Sequence, residues 1–278
     1  ILAIMDTDGQ HEVNTISNGI KALIENKLDF VVGSRFLSNS AIRGLSESRK
    51  GGSSIANSLA KLSLPREYSH IRDFMSGCMV LDRQVCISYI EQIDVNGFKF
   101  LYELLAVSKG SLKGIEIELI FQPRKYGTSK LDISIVWDFL VSLVHTCFQR
   151  VIPRNAISFA FVGAIGVVVQ FCAVYLLIWI VDMDFKQTLP FAITLAASSN
   201  YLINNSLTFR SNRLKNKALL IGLFKFLIVS SLPIVANIGL ATSFFNYISP
   251  NIIFSQLAGI IVVYVWNYAA SSKLVWNN

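Results

Sequence analysis

Residues 157–181 read ISFAFVGAIGVVVQFCAVYLLIWIV and contain no acidic or basic side chain. Together with its neighbours, this stretch forms a run of 27 uncharged residues between Arg154 and Asp182. A helix of about 20 apolar residues crosses a bilayer hydrocarbon core of about 30 Å. The stretch therefore predicts a transmembrane helix.

Charge is distributed unequally on the two sides of Arg154. The chain has 278 residues, of which 53% are hydrophobic and 15% charged, a composition that excludes intrinsic disorder and is too apolar for an ordinary soluble protein. Residues 1–154 carry 18 Lys/Arg and 16 Asp/Glu, whereas residues 155–278 carry 7 and 2. We predict a soluble domain followed by a membrane domain.

Further uncharged segments follow the first span. Residues 187–209 and 226–272 lack charge, and a polar cluster at 246–251 divides the second segment. We therefore predict an all-α transmembrane domain over 154–278, with four spans at about 157–181, 187–208, 220–246 and 252–272. Lipid offers no hydrogen-bond partner to an asparagine, so we expect three asparagines of the second span to face other helices: Asn200, Asn204 and Asn205.

The loops predict an orientation. Loop 210–217 has four basic residues and no acid, whereas loop 182–187 has two acids and one lysine. By the positive-inside rule, loop 210–217 is cytoplasmic, and four crossings then place both termini and the soluble domain in the cytoplasm. Since +5 of the net charge of +7 lies in residues 155–278, we expect anionic lipid headgroups, and no nucleic acid, as partners.

The soluble half has an α/β pattern. Apolar runs at 1–5 and 30–33 predict buried strands, and segments 12–27, 49–64 and 97–109 have helical spacing. We place this domain at 1–131. Segment 132–153 contains an amphipathic helix over 132–150 that we interpret as lying in the membrane interface, with a core-packing helix as the alternative.

Candidate metal ligands follow the first predicted strand. Alternate side chains of an extended segment point the same way, so Asp6, Asp8 and Gln10 are able to present oxygens to one point. Hard cations bound by one or two carboxylates and phosphate oxygens are typically Mg²⁺ or Mn²⁺. The pattern favours a metal site that bridges to a diphosphate, and a solvated turn is the alternative.

Five further polar motifs follow in order: Gly33-Ser-Arg35-Phe36, Arg49-Lys-Gly-Gly-Ser53-Ser-Ile-Ala-Asn57, Asp73-Phe-Met-Ser76-Gly77, Gly97-Phe-Lys-Phe-Leu-Tyr-Glu103, and Arg124-Lys-Tyr-Gly127-Thr-Ser129-Lys130. In this order they resemble the membrane-associated family 2 glycosyltransferases that act on polyprenyl phosphates, the dolichol-phosphate mannosyltransferase group. The resemblance covers about residues 1–150. It implies a GT-A fold and inverting transfer of a hexose from a nucleotide sugar to a polyprenyl phosphate on the cytosolic leaflet.

The resemblance also implies roles for individual residues. The acceptor phosphate is already an anion at neutral pH, so the reaction needs no general base. The catalytic residues would be Asp8, Arg49 and Arg124, with the metal on Asp6, Asp8 and Gln10. Residues at or near the lipid phosphate would be Arg35, Arg49, Ser53, Asp73, Ser76, Arg124 and Lys130. Glu103 would lie deeper, and the histidines are interpreted as structural.

The segment that precedes the DxD strand in this family carries a strand, a helix and much of the pocket for the nucleotide base. Here Asp6 is only the sixth residue, so the resemblance implies an N-terminally truncated glycosyltransferase domain. GDP-mannose is favoured as the donor, and UDP-glucose stays open. The four cysteines include no CxxC pair, which supports neither a zinc site nor a disulfide framework.

The second half resembles a different family. The motifs Phe159-Ala-Phe-Val-Gly163, Asn200-Tyr-Leu-Ile-Asn-Asn-Ser-Leu-Thr208-Phe209, Trp266-Asn267-Tyr268 and Lys273-Leu-Val-Trp276 are similar to those of the GtrA-like four-helix membrane domain. Such domains are found fused to these transferases. The alternatives are a helical anchor, or a non-catalytic membrane protein that translocates or stabilises a lipid-linked sugar.

Overall fold

A computed structural model describes residues 1–6, 11–37, 47–93, 99–119, 133–183, 185–248 and 252–276. At 47–50, 185–186, 189, 232–246 and 252–260 only the backbone is described. The chain forms two compact units, Ile1–Val151 and Ile152–Asn278. The predicted start of the membrane domain, at residue 154, lies two residues after the beginning of the second unit.

The first unit contains a four-stranded mixed sheet with the strand order β1-β3-β2-β4. Strand β3 is antiparallel to β1 and β2, and β4 is parallel to β2. Consequently β1, β2 and β4 run in one direction and end at the same edge of the sheet. The elements are β1 Leu2–Ile4, α1 Val13–Glu25, β2 Phe30–Ser34, α2 Glu47–Ser63, β3 Met79–Leu81, α3 Arg83–Ile90, α4 Phe100–Ser108, β4 Gly114–Glu118 and α5 Ile133–Cys147.

Strand β2 is buried along its whole length, as its apolar sequence predicts. Its side chains alternate between two hydrophobic clusters. Phe30 and Val32 belong to the larger cluster, which includes residues of α2 and α4, and Val31 packs with Leu23 of α1. Helices therefore cover both faces of the sheet, an α/β arrangement that is compatible with a GT-A fold.

Helix α5 packs against the core of the first unit with one face and exposes apolar side chains on another. Phe139 and Leu143 belong to the core, and the Phe139 ring meets Tyr102 edge-on with ring centroids 5.9 Å apart. Ile133 is 75% exposed and Leu140 39% exposed. One face of α5 thus packs in the core, as the alternative interpretation of segment 132–150 expects. Insertion of its exposed face into the membrane interface stays a prediction.

The second unit is helical. Its helices are α6 Arg154–Trp179, α7 Phe185–Ile203, α8 Asn216–Tyr247 and α9 Ile252–Leu274, and a single π-helical turn, Asn204–Thr208, extends α7. Within the described part of the chain, α6 alone is long and apolar enough to cross a membrane, with a mean hydropathy of 2.4. This agrees with the first predicted span, and the three other crossings stay predictions.

A buried asparagine, Asn205, connects two later segments of the second unit through hydrogen bonds. Asn205 Oδ1 accepts hydrogen bonds from the backbone N–H of Leu214 at 2.8 Å and from Trp276 Nε1 at 3.1 Å. The Trp276 ring stacks on Phe209 with centroids 4.2 Å apart. Asn204 and Asn205 are 1% and 2% exposed, and the amide of Asn200 lies against Gly166 of α6, as expected for asparagines that face other helices.

Candidate functional site

Polar side chains converge at the edge where β1 and β2 end. Asp6 follows β1 by two residues, and Arg35 follows β2 directly. Because β3 runs in the opposite direction, the segment 73–77 that leads into it starts from the same edge. The topology therefore brings three of the polar motifs together.

Arg35 and Asp73 form a two-pronged ion pair. Arg35 Nε donates to Asp73 Oδ2 and Nη2 donates to Oδ1, both at 2.7 Å. The backbone N–H of Arg35 adds a third hydrogen bond to Oδ2 at 3.1 Å. The Asp73 side chain has no exposed surface, and that of Arg35 is 13% exposed. Parallel hydrogen bonds of this kind hold a guanidinium in one orientation.

This pair also sets the electrostatics of the edge. Burial acts to lower the pKa of Arg35, but the hydrogen bond and charge of Asp73 and the charge of Asp6 outweigh it, so the pKa of Arg35 is raised. The guanidinium therefore keeps its charge throughout the working pH range. Asp6, which is exposed, lies within electrostatic reach of it.

The structure gives Asp73 a different task from the predicted position at the lipid phosphate. Both carboxylate oxygens accept hydrogen bonds from Arg35, and the residue is 0% exposed. A carboxylate without exposed surface cannot touch a ligand in this conformation. Asp73 acts here as a positioning residue for Arg35.

Two residues to which sequence reasoning gave no role hold the Asp73 segment in place. Glu116 Oε1, from β4, accepts hydrogen bonds from the backbone N–H groups of Arg72 and Asp73, each at 2.8 Å. Asn57 Oδ1, from α2, accepts from the backbone N–H of Phe74 at 2.8 Å. The position of Asn57 at the end of the Arg49 motif is a weak sequence signal for its role. Nothing in the alternating sequence of β4 distinguishes Glu116 from other strand residues.

Ser76 joins two strands. Its Oγ donates to the carbonyl of Gly33 at 2.6 Å and accepts from the backbone N–H of Cys78 at 3.1 Å. These bonds occupy the hydroxyl that we predicted near the lipid phosphate, and Ser76 is 5% exposed.

Burial, with a smaller effect from Asp6, raises the pKa of Cys78 to about 11, so this thiol stays protonated and is not a nucleophile.

Gly77 lies directly under the Asp6 carboxylate. A Cβ added at this glycine would stand 2.6 Å from Asp6 Cγ and 2.7 Å from Oδ1, closer than real Cβ atoms approach other groups. The absence of a side chain at Gly77 makes room for the Asp6 carboxylate. Glycine allows such a close approach because it has no Cβ.

Several predicted site residues lie outside the described part of the chain: Asp8, Gln10, Arg124 and Lys130. Arg49 lies in α2, where only its backbone is described, and Ser53 is half-buried one turn further on. No group of three metal-ligating side chains occurs among the described residues. The exposed Asp6 carboxylate fits a hard cation, and the rest of the proposed metal site stays a prediction.

Glu103 forms a second buried ion pair, away from the sheet edge. Its Oε2 accepts from Arg150 Nη1 at 3.0 Å, with the two side chains 6% and 19% exposed. Arg150 adopts a left-handed backbone conformation just after α5, with φ of 63°. The pair connects α4 to the segment that leaves α5, and this contact gives Glu103 a structural role.

Comparison with known families identifies the second unit. Residues 158–276 match the model of the GtrA/DPMS transmembrane domain. Together with the apolar helix α6, this match indicates a membrane protein that joins an α/β unit to a GtrA-like domain. The GtrA-like prediction is thereby confirmed for the second unit, and the match does not extend over the first.

Proposed function

We propose that this protein transfers a hexose, with inversion, from a nucleotide diphosphate sugar to a polyprenyl phosphate at the cytosolic face of the membrane. The observation that carries the proposal is the GtrA/DPMS domain at 158–276, a domain associated with lipid-linked sugar handling. It follows an α/β unit whose motif residues Asp6, Arg35 and Asp73 meet at one sheet edge. Mannose from GDP-mannose is the favoured donor, ahead of glucose from UDP-glucose.

The proposed site residues bind two different groups, the phosphate of the acceptor and the diphosphate of the donor. Arg49 and Arg124 hold the acceptor phosphate in line with the anomeric carbon, because a guanidinium donates two parallel hydrogen bonds to phosphate. Arg35, held by Asp73, adds fixed positive charge near Asp6. A Mg²⁺ or Mn²⁺ ion on Asp6, Asp8 and Gln10 would supply positive charge for the diphosphate leaving group. Ser53 and Lys130 support the acceptor site.

A second candidate function is translocation or stabilisation of a lipid-linked sugar by the GtrA-like domain without catalysis. Buried oxygens of Asn200, Asn204 and Ser271 have no hydrogen-bond partner within the described residues, and Asn204 and Ser271 are at most 1% exposed. Such groups are costly to bury, and polar residues inside membrane domains commonly mark functional paths. This observation favours a transport role for the second unit.

The test uses membranes from cells that express the full-length gene product. These are incubated with polyprenyl phosphate, Mn²⁺ and either labelled GDP-mannose or labelled UDP-glucose. We expect labelled lipid from one donor and none from membranes that lack the protein. Absence of labelled lipid from both donors would contradict the proposed transfer and favour the translocation candidate.

Gly77→Ala is expected to reduce transfer at least about tenfold. The new methyl group would overlap the Asp6 carboxylate, which must move away from its place at the sheet edge. A displacement of about 1 Å at a reacting centre costs on the order of 100-fold in rate. The measurement is the initial rate of labelled-lipid formation. Gly163→Ala, in α6, is the control, because a Cβ at this glycine meets none of the described residues within 4 Å, and equal losses in the two variants would refute the explanation.

The topology is tested by single cysteines on a background without the four native cysteines. Loop 210–217 has four basic residues, each worth about 1 kcal/mol near an anionic cytoplasmic leaflet. We expect Ser211→Cys, at an exposed position, to resist a membrane-impermeant thiol reagent added to intact cells. Ile248→Cys, at a position that is 71% exposed, should react from outside. Reaction of the cysteine at 211 in intact cells would show that the orientation is opposite to the predicted one.

A further inference from the structure

A small cavity of the first unit lies beside the Arg35–Asp73 pair and contains side chains that no motif singled out. It has a volume of about 270 Å³ and lies between α2 and the segment 71–74. Its lining residues are Phe36, Ser54, Asn57, Ser58, Lys61, Ile71, Arg72 and Phe74.

One wall of this cavity is a single face of α2. Ser54, Ser58 and Lys61 recur with the three- and four-residue spacing of a helix face, and all three are exposed. Asn57, on the same face, is buried: its Oδ1 accepts from the backbone N–H of Phe74 at 2.8 Å, and its Nδ2 donates to the carbonyl of Ser53 at 3.0 Å. Asn57 thus fixes the distance between the two walls.

The cavity carries positive charge. Among the residues that the structure describes, Lys61 and Arg72 line it, no acidic side chain does, and neither cation has an ion-pair partner. Of the nearby acids, Asp73 is paired with Arg35, whereas Glu116 accepts hydrogen bonds from the neutral backbone N–H groups of Arg72 and Asp73 and keeps its negative charge. The two cations of the cavity outnumber this one carboxylate.

The remaining wall is aromatic. Phe36 is partly exposed and lies under the guanidinium of Arg35, which is 5.8 Å from the ring centroid. Ile71 and Phe74 are almost completely buried and form the floor. The cavity therefore combines two cations and two hydroxyl donors with an apolar side.

We propose that this cavity binds a phosphate monoester. Phosphate oxygens accept hydrogen bonds from serine hydroxyls, lysine and arginine, which are the exposed polar groups of the cavity. Pockets for drug-sized ligands measure about 300–1,000 Å³, so this volume suits a phosphate headgroup better than a whole nucleotide sugar. The phosphate is either free or carried by an apolar chain that leaves along Phe36. A polyprenyl phosphate bound here would occupy a site separate from the acceptor position at Arg49 and Arg124. That identity of the chain rests on the proposed function, whereas phosphate binding does not.

The test measures binding to the purified full-length protein in nanodiscs, without turnover. The probes are inorganic phosphate, a short-chain prenyl phosphate and the prenyl alcohol of the same length. The variant is Lys61→Gln/Arg72→Gln. The matched control, Lys21→Gln/Arg83→Gln, removes the same charge at exposed positions of α1 and α3. We expect the affinity for a phosphate probe to fall about tenfold or more in the first variant and less than twofold in the control.

The outcomes separate the two sources of phosphate. Parallel loss for inorganic phosphate and prenyl phosphate supports a site for the phosphate group alone, and loss confined to prenyl phosphate supports a lipid-borne ligand. Equal loss in the control variant, or equal binding of the alcohol, would overturn the proposal. If binding depends on Lys61 and Arg72 while the parent protein transfers no sugar, the proposed function fails and the cavity assignment stands. If the parent protein transfers sugar but binding of neither phosphate probe depends on these cations, the proposed function stands and the cavity assignment fails.

Discussion

Asp73→Asn is expected to lower the free energy of unfolding of the first unit by about 3 kcal/mol. The substitution keeps the shape of the side chain but removes the charge opposite Arg35, whose side chain is only 13% exposed. It also replaces one of the two oxygens that accept the guanidinium at 2.7 Å with an amide nitrogen. Removing one member of a buried ion pair typically destabilises by about 3–5 kcal/mol, because the remaining charge loses the favourable interaction that offsets its burial.

The measurement is hydrogen exchange of the β2 and β3 amides in the full-length protein at increasing urea concentration, which reports the stability of that region. Asp82→Asn is the matched control. Asp82 caps α3 by accepting from the backbone N–H of Gln84 at 2.8 Å, and asparagine is an equally good cap, so a change of a few tenths of a kcal/mol is expected.

A double-mutant cycle separates the ion pair from other effects of the substitution. In an Arg35→Gln background, Asp73→Asn should cost much less than in the parent protein, because the guanidinium that Asp73 binds is already gone. If the two losses simply add, the ion pair is not the source of the stability.

Asp8→Ala is expected to abolish transfer in the full-length enzyme. The proposed metal site has two carboxylates, Asp6 and Asp8, and loss of one of them should remove most of the affinity for Mg²⁺ or Mn²⁺. Without the ion, the diphosphate leaving group loses the positive charge that stabilises it. The measurement is labelled-lipid formation over a range of Mn²⁺ concentrations, and no concentration is expected to restore the parent rate.

Glu25→Ala provides the control for this experiment. Glu25 is an exposed carboxylate at the end of α1, so its removal changes the net charge by the same amount without touching the sheet edge. An Asp8→Ala enzyme that keeps its activity and still requires Mn²⁺ would show that the metal ligands lie elsewhere.

Local patterns in the sequence were sufficient for the division of the chain and for many of its elements. The uncharged stretch 157–181 predicts α6 to within a few residues, because hydrophobic length is a property of consecutive residues. The apolar runs at 1–5 and 30–33 predict β1 and β2 for the same reason. The order of short motifs indicated the GtrA-like domain that the family match confirms.

Contacts between distant residues were decided by the tertiary structure alone. Arg35 and Asp73 are 38 positions apart, and a motif shows that each residue is polar but not that the two face each other. Only the antiparallel placement of β3 brings the Asp73 segment to the end of β2 and buries the carboxylate against the guanidinium.

Sequence patterns likewise do not show the long-range hydrogen bonds that hold the site or the residues that line the phosphate cavity. Glu116 is 43 positions from Asp73, and Asn205 is 71 positions from Trp276, yet each pair is joined by a hydrogen bond. Lys61 and Arg72 resemble ordinary surface cations in sequence, and only the packing of α2 against segment 71–74 places them around one cavity. Hydrophobic periodicity specifies which face of an element is buried, but the partner of a polar side chain depends on which elements pack together.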